Sequence, residues 1–171
     1  MAGGGSVHVW GRIHHGRKTD LVVLQNSVNG DRYRQLFQTE LIPYARQCFK
    51  RNFLLQHDNA PPHRSRVVQD FLQQQQIDHL PWPAYSPDCN PIKHTWDALD
   101  QAVRSRDVQP SNLDELATAL QDEWRNIGQR SINKLVDSMP RRIQAVTDSR
   151  GDTPNTDDFS AYCCTNKIDK R

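Results

Sequence analysis

Phe53-Leu54-Leu55-Gln56-His57-Asp58-Asn59-Ala60-Pro61-Pro62-His63 is an apolar run that breaks into polar residues and prolines. Residues 53–58 read as a buried strand with a functional tip. Pro61 and Pro62 cannot continue a central strand, because proline has no N–H for the ladder. From His63 to Gln76 the residues Val67, Val68, Phe71 and Leu72 follow helical spacing, and Ile77 to Trp82 is a further short strand. Strand, helix and strand in succession predict a parallel βαβ unit with a right-handed crossover, hence an α/β fold. Open α/β sheets bind ligands at the carboxyl ends of their strands, which makes Asp58 and its neighbours a candidate site. A plainer reading stands beside it: Asp58 and Asn59 form an Asx turn. A zinc site built from His57 and His63 needs partners that the sequence does not identify.

Before this unit, Val7–Ile13 and Leu21–Leu24 are β-branched and aromatic runs separated by the polar turn His14-His15-Gly16-Arg17-Lys18, which predicts an antiparallel hairpin. A helix follows from about Asp31 to Phe49, bent or interrupted near Pro43. After the βαβ unit comes Trp82-Pro83-Ala84-Tyr85-Ser86-Pro87-Asp88-Cys89-Asn90-Pro91, a proline-punctuated loop. Pro91 suits the first turn of the next helix, which carries Ile92, Trp96, Leu99 and Val103. Ser111 reads as the cap of a regular helix (Leu113, Leu116, Leu120, Trp124, Ile127), with Asp114 completing a capping-box pattern. Another helix begins near Gln129, and Pro140 breaks or kinks its continuation. Beyond Gly151 the polar, aperiodic composition predicts a disordered tail over 151–171. Trp10, Trp96 and Trp124 fall at positions suited to a core; Trp82 adjoins the candidate site.

Only 36% of the 171 residues are hydrophobic, so the core is lean. The net charge of +2, from 22 basic and 20 acidic side chains, is too small to announce nucleic-acid binding by itself. The excess lies in residues 1–50, with seven bases against three acids. Cys48, Cys89, Cys163 and Cys164 form neither a disulfide framework nor a zinc knuckle, and no stretch has the length of a membrane span. An intracellular protein with no membrane partner is the expectation.

Together, DNAPPH at 58–63 and WPAYSPDCNPI at 82–92 resemble the signature of the mariner superfamily of DNA transposases, in its DDE branch. GGGSVHVWGRI at 3–13 and SMPRRIQAV at 138–146 resemble the same family, in the same order. The resemblance covers residues 3–150 and implies a ribonuclease-H-like catalytic domain in the nucleus. Three carboxylates there hold two Mg²⁺ or Mn²⁺ ions that cleave and transfer DNA strands. Such ions prefer oxygen ligands, and a pair about 3.5–4 Å apart needs several negative ligands.

By the same resemblance, Asp58 matches the second catalytic acid. The third acid stands directly after Asn-Pro-Ile, where this sequence has Lys93. Lysine offers donors and no acceptor, so while protonated it cannot ligate a hard cation. At 4 Å a unit charge pair interacts by roughly 1 kcal/mol in water and about 4 at an effective dielectric of 20, so a ligand is replaced by a repulsion. The family's first acid precedes the GGGSV segment on a central strand with no counterpart here, and the N-terminal helix-turn-helix modules likewise have none. Asp97, about 6 Å further along its helix than Lys93, does not replace the third acid; Asp20 and Asp88 match neither missing acid. Asn59, His63, Trp82, Ser86, Pro87, Asp88, Asn90 and Pro91 are read as shaping the motif.

The expectation is therefore a partial DDE domain over 1–150, ribonuclease-H-like but without its first central strand, followed by a helical part. Metal would not bind stably and catalysis would be lost. DNA is the partner that the resemblance implies. A non-catalytic DNA-binding or interaction module, or a decayed reading frame, are the alternatives. Loss of the central strand would leave two unpaired strand edges.

Overall fold

The computed structural model describes residues 5–24, 27–49, 53–79, 90–150 and 159–169, with side chains described except at 143, 146–150 and 159–169. The long strand β1 (Ser6–His14) turns at Gly16, whose φ of +87° suits glycine, into the short β2 (Arg17–Lys18) and β3 (Val22–Leu24). Both pair antiparallel with β1, as the hairpin reading requires.

Side chains alternate across β1, and both faces are covered. Val7, Val9 and Ile13 enter one core with Ile92, Trp96, Leu99, Leu120 and Trp124. Trp10 enters the other with Tyr33, Phe37, Leu41, Leu55, Val68 and Leu72. All three expected core tryptophans are buried, and Trp96 stacks on Trp124 with ring centroids 4.9 Å apart. Gly11 lets the two rings approach closely: a Cβ there would lie 3.0 Å from the Trp96 ring and 3.1 Å from that of Trp124.

The predicted bent helix consists of α1 (Gly30–Leu36), a π-helical turn (Phe37–Leu41) and α2 (Ile42–Phe49). Asn29 caps α1 by accepting from Arg32 N. The wider turn directly precedes Pro43, which has no N–H for a regular helical bond. The strand β4 (Leu54–Gln56) leads through the proline turn into α3 (Arg66–Gln74). The chain returns to a parallel bridge between His79 and Leu55. Of the expected strand 77–82 the described residues show one bridge, at His79; residues 80–89, with Trp82, Ser86, Pro87, Asp88 and Cys89, lie outside the described residues.

The helices α4 (Pro91–Arg104), α5 (Leu113–Asn126), α6 (Gln129–Asp137) and α7 (Met139–Arg150) make up the helical part. Two details differ from the sequence reading. Asn112, rather than Ser111, caps α5: its side chain accepts from Glu115 N at 2.8 Å, while Glu115 accepts from both Ser111 N and Oγ. Asp114 is displaced from the capping role by one position.

The larger correction concerns the tail. Residues 159–169 form β5 (Phe159–Asp169), where disorder was expected. It lies between β1 and β4, antiparallel to the first and parallel to the second, in the order β2-β1-β5-β4 with β3 also on β1. The central place is filled, and the two inner edges expected to lie unpaired are paired. Phe159, Tyr162, Thr165 and Ile168 favour extended backbone, but open ladder groups on two distant strands supply what composition does not show.

Candidate functional site

Asp58 follows β4 at the carboxyl end of the strand, ahead of the turn at Pro61–Arg64, whose His63 and Arg64 N–H groups donate to Ala60 O. Its Oδ1 accepts from Ala60 N at 3.2 Å, so the Asx turn of the plainer reading exists. The same carboxylate also has two cationic or donating neighbours. Lys93 Nζ lies 2.9 Å from Oδ2, and His63 Nδ1 lies 2.8 Å from Oδ1 and 2.8 Å from the Asp58 carbonyl oxygen. Both oxygens facing Nδ1 are acceptors, which places a proton on that nitrogen.

Local structure holds each partner. Asn90 caps α4 by accepting from Ile92 N at 3.4 Å, and Pro91 occupies the first turn as expected. This sets Lys93 one residue further, with its N–H donating to Asn90 O. His63 is fully buried, stacks on Tyr33 at 4.0 Å between centroids, and has its carbonyl bonded by Gln69 Nε2 at 2.8 Å. Tyr33 and Gln69 were not singled out in the sequence; Tyr33 lies thirty residues from His63 along the chain.

Burial by itself would raise the Asp58 pKa. The His63 hydrogen bond and charge, followed by the Lys93 ammonium, outweigh burial and hold the carboxyl well below the usual range. His57, also buried, is pushed down to about 3, first by desolvation and then by the charges of His63 and His79, so it is neutral at physiological pH.

Of the other residues singled out, Asn59 is exposed beside the turn, while Asp97 and Asp20 are exposed away from a shared acid cluster. Arg141 is exposed. Arg142 is held by Ser138 Oγ at 2.9 Å and by His94 Nε2 at 2.7 Å, so it docks α7 on the first turn of α4. Among the described residues no group of three His, Cys, Asp or Glu is placed to hold a metal ion. The donor set around Asp58, one carboxylate facing an ammonium and an imidazole N–H, does not fit a two-ion centre.

Asp58 at the tip of β4 thus faces Lys93 on the first turn of α4, beside a sheet covered on both faces. The chain belongs to the DDE superfamily endonuclease family, whose pattern matches residues 2–117. It is 40% identical over 149 residues to the transposable element Tc1 transposase of Caenorhabditis elegans, covering 87% of this chain and 54% of that protein. It is 36% identical over 149 residues to the Tcb2 transposase of Caenorhabditis briggsae, covering 87% and 54%. The chain thus spans about half the length of these relatives. The solved catalytic domain of Mos1 transposase with raltegravir and Mg superposes with a TM-score of 0.60 at 25% identity, over 79% of this chain and 70% of that one. The Mos1 paired end complex with Mn gives 0.65 at 23%, over 79% and 41%, a likeness of fold. The ribonuclease-H-like expectation and the mariner-superfamily resemblance both hold.

Proposed function

We propose that this chain is a transposase-derived DDE domain that no longer performs metal-dependent strand cleavage or transfer. One observation carries the reading: Lys93 Nζ lies 2.9 Å from Asp58 Oδ2. The ammonium takes the side of the carboxylate that a divalent ion would need, and it brings the neutralising charge itself. A cation entering there has to displace Lys93 and then meets too few acceptors. Purified protein incubated with Mn²⁺ and transposon-end DNA tests this. No metal-dependent nicking is expected; nicking that Asp58→Ala abolishes would overturn the reading.

DNA binding without chemistry is a second reading, favoured by the basic excess in residues 1–50. Phosphate contacts release counterions, so affinity would fall steeply across a salt series. Absence of binding at low salt removes this second reading and leaves the first intact.

A further inference from the structure

The strand β5 has the directions required of a strand between the hairpin and β4. It pairs antiparallel with β1 from Ser6–Asp169 to Ile13–Tyr162, and parallel with β4 at Leu54, Leu55 and Gln56. We propose that residues 159–169 are a self-complementing strand: the chain's own C-terminal segment takes the central place of the sheet and excludes any other strand from it.

Geometry supports the exclusion. Neighbouring strands lie about 4.8 Å apart, so two strands flanking one place leave room for a single occupant. The edges of β1 and β4 that face this place carry rows of backbone donors and acceptors, and β5 satisfies both rows at once. The connection favours the chain's own segment over a second copy. Helix α7 ends at Arg150 and β5 begins at Phe159, a short tether whose high effective concentration a separate molecule must overcome.

The register has a consequence for the site. The last pair is Gln56 with Tyr162; continued by two residues, that register would set Asp58 level with Cys164. Residues 160–168 contain no carboxylate, and Asp169 stands five positions beyond that level, about 16 Å along the strand. The resident strand therefore brings no acid alongside Asp58. A strand bearing a first acid would have to evict β5 before it could do so.

The register and the identity of the occupant are tested together by cross-strand disulfides in the full chain. His8 pairs with Lys167, so His8→Cys with Lys167→Cys is expected to link under oxidised glutathione, within the monomer. His8→Cys with Asn166→Cys, one step out of register and on the opposite face, is expected not to link. The linkages are read by peptide mass mapping. Hydrogen exchange on the unmodified chain guards against misfolded variants: amides of 161–168 should exchange at least ~100-fold more slowly than an unstructured peptide, as those of 7–13 do. Unprotected 161–168 amides beside a protected β1 would overturn the proposal. So would equal linkage in the offset pair, or linkage found only in dimers, which would assign the place to a second copy.

Discussion

Replacing Lys93 with methionine removes one charge while keeping an unbranched stem of similar length. The ion pair with Asp58 spans 2.9 Å, which corresponds to roughly 1.4 kcal/mol at the dielectric of water and roughly 6 at an effective dielectric of 20. The two side chains are 31% and 20% exposed, so water screens part of the attraction. A loss of about 1.5–3 kcal/mol in urea unfolding at pH 7 is the expected result. The loss should depend on pH in a definite way. In the unmodified chain Asp58 is held below its ordinary value, so its contribution is full above about pH 3.9 and is lost as pH falls through the depressed folded value. Lys93→Met lets the carboxyl rise toward that ordinary value. The stability difference should therefore be constant from pH 7 to about 5 and shrink below about 4. A difference below about 0.5 kcal/mol at pH 7 would refute the assigned ion pair.

Three further outcomes follow from other contacts. The His57 pKa is about 3 folded, against an ordinary 6.5, so the unfolded chain binds more protons between these values and stability falls with acidification. About 2 kcal/mol should be lost from pH 6.5 to 5, read from urea midpoints, with a smaller slope in His57→Phe; buried His14, also lowered, adds to the fall with the same sign. Gly11→Ala forces a Cβ against the Trp96 and Trp124 rings and should cost about 1–3 kcal/mol, measured as a lower urea midpoint. Asn112→Ala removes the side-chain acceptor at the start of α5 and should cost about 1 kcal/mol, whereas Ser111→Ala, which loses only an exposed bond to Glu115, should cost less.

The parts of this fold legible in the sequence are those governed by local rules. The β-branched and aromatic run in 7–13 and the polar turn with Gly16 mark the hairpin, and helical spacing marks α3, α4 and α5. Pro91 after Asn90 marks the start of α4. Asp58 and Lys93 were legible as candidate positions because the motifs around them are short and contiguous. Their ion pair was not, since Lys93 had been read only as a repulsion toward metal. The apposition of β4's tip and α4's first turn is a tertiary fact. The same holds for Tyr33 under His63, and for Arg12, a fully buried cation whose guanidinium lies 3.6 Å from the Tyr44 ring centroid. Nothing adjacent to Arg12 in the sequence announces that partner.

By itself the sequence determined the family and the identities of the residues at positions 58 and 93, an acid and a lysine, because each is carried by consecutive residues. Only the tertiary structure decided what neutralises Asp58 and what occupies the centre of the sheet. The tail 159–169 is too polar and aperiodic to declare itself as a strand. It becomes one because β1 and β4, separated by some forty residues of sequence, present two rows of backbone groups that a single extended segment can satisfy at once.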